Sequence, residues 1–299
     1  MMAMLLGACA TKTPKTDALV KDHDGLSKKA QIKDVPFINQ DINHCGPATL
    51  AMVMKSYGYE VGTKALASQM MTPDSKGSFK SDMISTVRRQ GMLGVQIEDM
   101  KALLSEIEAG NPVIVFQNLG FDIYPNWHYS VALGYDLRGP DIILHSGKYK
   151  NKEVDMRFFE RSWSKGDYWG LVVLPPGNLS ASADDLAHSE GISGLEQVGK
   201  LEEAEVSYEA VLEKWPTSLT ALIGMGNVLY AKKDFQGSVD YLTKATKAHP
   251  TSSVAWHNLA NAQGAAGRRS EAKSSAKKAI SLVTGADTAT YEESLKEFF

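Results

Sequence analysis

The sequence predicts two domains of different class: an α+β domain in which a helical layer precedes an antiparallel sheet, and then an all-α repeat solenoid. Three observations carry this. From Cys45 to about residue 110, apolar residues recur at three- and four-residue intervals, the period of a helix. From Val113 to Leu174 the segments are short, apolar or alternating, and divided by turns containing Gly and Pro, which is the strand pattern. Beyond residue 186 the chain is helical again and repeats with a period of 34 residues.

Length and charge agree with this. A chain of 299 residues exceeds one typical domain. A formal net charge of −3 supplies no basic surface for nucleic acid. The seven His and two Cys show no zinc-ligand spacing beyond the neighbours His44 and Cys45, so neither a metal nor another cofactor is expected.

Taken in order, the chain begins with Met4-Leu5-Leu6-Gly7-Ala8-Cys9. An apolar residue three before the Cys and two small ones between them resemble a bacterial lipobox. That resemblance implies a signal remnant over 1–9, lipidation of Cys9, and a protein anchored in the cell envelope, at the outer membrane on its periplasmic side. The stretch before Cys9 has no Lys or Arg and a short apolar run, so the true start of the precursor is expected upstream. With Cys9 acylated, Cys45 is the only free thiol; the alternative is a Cys9–Cys45 disulfide tying the start of the chain to the following domain. Residues 10–30 are polar and without period, as expected of a tether.

Val35-Pro36-Phe37-Ile38 reads as a short edge strand that delivers Gln40. Leu50, Val53, Met54 and Tyr57 then mark a helix closed by Gly58, with Cys45 in its first turn. Free backbone N–H groups and the positive end of the helix dipole lie there. Both favour thiolate, so Cys45 is expected to titrate well below the free-thiol value of about 8.5. Thr63–Met71 and Ser78–Gln90 read as helices, and so does Asp99–Ala109, which Gly110 caps. Val113–Phe116 is an unbroken apolar run suited to a buried central strand. The stretch 127–135 alternates as a strand beginning at His128, and Asp141–Leu144, Glu153–Phe158 and Trp169–Leu174 complete the sheet around a short helical crossing at Phe159–Trp163.

A thiolate needs a base and an oxyanion donor, and His128 and Gln40 offer both. The pattern Gln-x4-Cys-Gly-Pro-Ala-x-Leu-Ala-Met from Gln40, with His-x2-Val-x2-Gly-Tyr-Asp from His128, resembles the bacteriocin-processing (double-glycine leader) peptidase-like branch of the papain-like cysteine peptidases. The resemblance covers roughly 31–177. It implies the papain-like fold, cleavage of a peptide or envelope-protein substrate, Cys45 as nucleophile, His128 as general base and acid, and Gln40 as oxyanion residue. The family also places an Asp on the next strand to orient the imidazole. Here that stretch is Ile142-Ile143-Leu144-His145-Ser146-Gly147, without a carboxylate, so His145, Ser146 or a backbone carbonyl is left to hold the ring. His44 adjoins Cys45 but cannot face it on a helix. The competing reading is a non-catalytic peptide-binding or scaffolding lipoprotein with a degenerate site.

Pro175-Pro176-Gly177 ends this domain and 178–185 is a linker. Beyond it, Pro216 and Pro250 stand 34 residues apart, and at the same offset Leu222 matches Trp256, Gly226 matches Ala260, and Ser238 matches Ala272. This resembles three tetratricopeptide repeats over 186–286, the first degenerate at Gly191 and Gly194, with a capping helix over 287–299. The resemblance implies a concave face for a protein partner. Each half is expected to hold its own core, so that a chain ending near Pro176 folds alone.

Overall fold

The computed structural model describes residues 13–23, 25–40, 44–71, 77–283 and 287–298. Cys9 lies outside them. By mutual contact the chain forms two compact units, one of residues 1–86 and 96–173, the other of 87–95 and 174–299. This differs from a single boundary at 177: residues 87–95 group with the second unit.

In the first unit, α1 (Pro14–Lys21) is followed by β1 (Lys29–Gln31), α2 (Cys45–Ser56), α3 (Thr63–Met70) and α4 (Lys80–Arg89), the last running into the 87–95 segment. Gly58 and Gly110 take positive φ, 82° and 88°, where the chain turns out of α2 and α5 (Met100–Glu108). Only a residue without Cβ adopts that conformation cheaply, which is why these helices end where they do. Asp99 caps α5 by accepting from the N–H groups of Lys101 and Ala102.

The strands are β2 (Leu93–Ile97), β3 (Val113–Asn118), β4 (Trp127–Asp136), β5 (Asp141–Ser146), β6 (Tyr149–Asp155) and β7 (Gly170–Leu174), in the order β2-β7-β3-β4-β5-β6, with β1 also on β4. The pairings of β3 with β4 and β7, and of β5 with β4 and β6, are antiparallel. Helices α2 and α5 pack on β4, and α6 (Met156–Ser164) packs on β3. The fold is a helical layer followed by an antiparallel sheet, as the sequence predicts.

Four local expectations are corrected. Residues 14–21 are not part of a tether: α1 buries Thr16 and Leu19. Its first N–H groups, on Lys15 and Thr16, donate to the carboxylate of Glu160 at 3.1 and 2.8 Å, and Arg157 pairs with Asp17 at 2.9 Å. Residues 35–38 form no strand. The strand β2 has no counterpart in the predicted elements. Finally, Met156–Phe158 are helical, because the Asp155 side chain accepts from the Phe158 N–H and caps α6.

Glu160 is 1% exposed and also accepts from the Tyr168 hydroxyl. Glu160→Ala should therefore strand two helix-terminal donors and lower stability by about 1.5–3 kcal/mol, the range for bonds to a charged group. A denaturation midpoint equal to that of the unchanged protein would show that α1 is held by something else.

The second unit is helical: α7 (Asp185–Gln197), α8 (Leu201–Lys214), α9 (Leu219–Ala231), α10 (Phe235–Ala248), α11 (Ser253–Ala265), α12 (Arg269–Ser281) and α13 (Asp287–Ser294), with a 3-10 turn over Lys296–Phe298. Both helices of each pair begin one repeat length after their counterparts. Small residues sit where helices cross: a Cβ on Gly224 would lie 2.2 Å from Tyr208, and one on Gly226 would lie 2.6 Å from Leu242. Leu295 closes the far end against Ala260, Ala276 and Ala279. The glycines that make α7 look degenerate have a local cause. A Cβ on Gly191 would lie 2.8 Å from Leu93 and 2.9 Å from the Gly94 carbonyl, and one on Gly194 would lie 2.1 Å from Arg88. Helix α7 is thus shaped to the 87–95 segment.

Candidate active site

Cys45 is the first residue of α2 and half-buried. Backbone N–H groups of Tyr129, Gly46 and Cys45 itself are directed at its sulfur, so the thiol lies at the start of β4, beside the residue that follows His128. The expected fall in its pKa does not occur. Burial pushes the Cys45 thiol up, and those N–H groups offset only part of the rise.

His128, also half-buried, supplies no compensating cation. Burial, and after it the charge of Lys152 on β6, push the imidazole down to about 4. The surroundings thus oppose charge on the thiol and on the imidazole alike. A thiolate–imidazolium pair would need the second charge to stabilise the first, and the surroundings disfavour each.

Ser146, the last residue of β5, holds the ring: its Oγ lies 3.1 Å from His128 Nε2. Ser130, two residues after His128 on the same face of β4, donates to Ser146 Oγ at 3.1 Å. A hydroxyl oxygen has lone pairs for both the Ser130 O–H and an Nε2–H. In that tautomer Nδ1 keeps its lone pair and can take a proton from sulfur. His145 does not orient the ring. Its Nδ1 accepts from the Asn151 N–H and its Nε2 donates to the Val35 carbonyl, so it fastens the segment leading to Gln40 against β5.

Gln40 is fixed at both ends to the β5–β6 turn. Its N–H donates to the Gly147 carbonyl at 3.1 Å, and its Oε1 accepts from the Gly147 N–H at 3.0 Å. The side chain is 6% exposed and its Nε2 is buried without a partner. An unsatisfied buried donor costs about 1–3 kcal/mol, and a retained one calls for a reason such as a bond made only during reaction. Trp163 and Trp169 are core residues, whereas Trp127 stacks on Phe116 at 5.0 Å and stays exposed. Sequence reasoning missed Ser130 and Lys152. Ser130 could have been found from the two-residue period of the His128 strand; Lys152, across two strand pairings, could not.

Two family models match parts of the chain. Residues 32–168 match the family model described as Peptidase_C39 like family, and residues 253–282 match a tetratricopeptide-repeat model. The chain thus carries a C39-like peptidase domain and, after it, a helical tetratricopeptide-repeat region. Among solved structures it is similar to a protein from Bacillus anthracis described as a C39-like peptidase, at 18% identity and a TM-score of 0.42 over 50% of this chain and 98% of that one. It is similar to a double glycine motif protease of an AMS/PCAT transporter in complex with the leader peptide (24%, 0.39, over 49% and 94%). A further likeness is to the peptidase domain of Streptococcus ComA (19%, 0.40, over 47% and 98%). A comparison with curated protein sequences found no match.

Proposed function

We propose that the C39-like domain is a cysteine peptidase that works from an uncharged resting pair. Cys45 Sγ attacks a peptide carbonyl while His128 Nδ1 takes the thiol proton, and the carbonyl oxygen becomes an oxyanion that receives a hydrogen bond from Gln40 Nε2. The imidazolium then gives its proton to the amide nitrogen, the C–N bond breaks, and a thioester remains. Water, deprotonated by His128, attacks that thioester; the C–S bond breaks and sulfur recovers the proton. The observation that carries this reading is Gln40, whose Oε1 is tied to Gly147 while the buried Nε2 is left free.

The β3–β4 connection exposes Phe121, Ile123 and Tyr124 just before the His128 strand, which supports a peptide with apolar side chains. The repeats support recruitment of a protein partner. Lipidation at Cys9 would hold the enzyme on the envelope membrane, and among the described residues no helix is long and apolar enough to cross one. A second reading, a peptide-binding module without turnover, is favoured by one observation: a hydroxyl on Ser146 stands beside the ring instead of a carboxylate.

Hydrolysis of a peptide library by the full chain separates the two. The peptidase reading expects cleavage that Cys45→Ala abolishes, and Gln40→Ala should lower kcat by about 10²–10³ with KM little changed, the cost of one oxyanion donor. Cleavage by Gln40→Ala at the original kcat would remove Gln40 from the mechanism. Binding without cleavage, equal for the original chain and Cys45→Ala, would establish the second reading.

A further inference from the structure

Among the described residues, the buried side-chain polar atoms without a partner are Gln40 Nε2, Ser78 Oγ, Gln117 Oε1 and Tyr135 Oη. Gln40 has been given a role. Gln117 has not, and its position is the most specific of the remainder. It lies on β3 directly opposite His128 in the β3–β4 register. Opposed residues of an antiparallel pair share one face, with Cβ atoms about 4.5–5.5 Å apart. Ser146 Oγ reaches the His128 ring from β5, and Gln117 is the histidine's cross-strand neighbour on β3.

The orientation of that carboxamide is set from behind. Gln117 is 2% exposed, and its Nε2 donates to Ser162 Oγ at 2.7 Å. Ser162 Oγ in turn donates to the Phe159 carbonyl of α6 at 2.8 Å, so the hydroxyl can only accept from Gln117. The amide cannot flip without losing this bond, and Oε1 is left as a fixed, buried, unmatched acceptor. A neutral histidine gives such an acceptor little, whereas an imidazolium carries two N–H donors and a positive charge. The charged group felt by the ring is Lys152 from β6, whose charge opposes an imidazolium, while Cys45 of α2 lies at the backbone N–H of the next residue, Tyr129.

We propose that Gln117 is a positioning residue for His128: its Oε1 shares with Ser146 Oγ the Nε2–H of the imidazolium formed when Cys45 gives up its proton, which steadies the charged ring and leaves Nδ1–H for the leaving amide nitrogen. The inference rests on the reading of His128 as the base. The missing carboxylate is then replaced by two neutral groups, one on each flanking strand, which strengthen their hold only when charge appears.

The test is the NMR titration of the His128 imidazole in the full chain, which needs no turnover and so stands or falls separately from peptidase activity. Gln117→Met keeps the shape and removes the acceptor, and should lower the midpoint by about one pH unit. Gln117→Glu is isosteric and should raise the midpoint by about one to three pH units. A folded Gln117→Met with the original midpoint overturns the proposal. If Gln117→Met does not fold, Gln117→Glu decides, and a midpoint unmoved by the carboxylate shows that the two side chains do not meet.

Discussion

Ser146→Asp is expected to turn the uncharged pair into a charged one. A carboxylate at the position from which Ser146 Oγ reaches His128 Nε2 at 3.1 Å would favour imidazolium over imidazole. The sign follows directly: the opposite charge raises the histidine midpoint, now at about 4 against an ordinary 6.5, by about one to three pH units, to between roughly 5 and 7. A more easily charged His128 in turn favours thiolate, and the Cys45 thiol should move down from its raised value. Alkylation of Cys45 at pH 7 should accelerate by about tenfold to a hundredfold. Ser130, which donates to Ser146 Oγ now, remains available to donate to the new carboxylate. Ser146→Asn adds bulk without charge and is the control that should leave the rate unchanged. If Ser146→Asp reacts no faster than Ser146→Asn and leaves the histidine midpoint at about 4, Ser146 does not stand in for the orienting carboxylate.

Ending the chain at Pro176 is expected to damage the peptidase domain, not merely its affinity for substrate. Residues 87–95 belong by contact to the second unit, and α7 carries Gly191 and Gly194 where larger residues would collide with Leu93, Gly94 and Arg88. Val87, Met92 and Leu93 are all 0% exposed. Re-exposing one such side chain costs about 1.5–3 kcal/mol, a sizeable part of a typical stability of about 5–15 kcal/mol. A loss of about 3 kcal/mol corresponds to a fall in Tm of about 6–12 °C for a domain of this size. The shortened chain should therefore melt early and lose kcat as well as affinity. Melting at the temperature of the full chain, with kcat intact, would mean that the 87–95 segment is self-sufficient and that the boundary read from the Pro-Pro-Gly turn is the physical one.

What was legible in the sequence follows from how locally it is determined. The helix of Cys45 could be read because its period and its terminating Gly58 both lie within fifteen residues. The repeats could be read because Gly226, Ala260 and their neighbours recur at a fixed spacing. Helix α1 could not, since little of it is apolar and its N-terminus is satisfied by a carboxylate some 140 residues away. The same holds for Gly191 and Gly194, which look like decay in a repeat until the segment they admit is seen.

The candidate site divides the same way. Gln40, Cys45 and His128 could be named from motif and spacing, because the order of those residue types is itself the signal. Their protonation could not. The expectation of a reactive thiolate used the helix terminus, which is local, and missed the desolvation of Cys45 and His128, which comes from everything packed around them. That Ser146 rather than His145 meets the ring depends on which face of β5 each residue takes, and a bulge in the β4–β5 pairing between Ala132 and Gly134 hides that from a simple count of alternation.

The claim on which the rest depends is that Cys45 and His128 rest uncharged and exchange their proton only as bonds form. It is tested most directly by the rate of Cys45 alkylation by iodoacetamide in the full chain as a function of pH, with Cys45→Ser as the blank. The account predicts one rising limb whose midpoint lies above the free-thiol value of about 8.5, and no plateau at lower pH. A bell or plateau of reactivity with a midpoint near or below neutrality, lost in His128→Ala, would reveal a standing thiolate–imidazolium pair and contradict it.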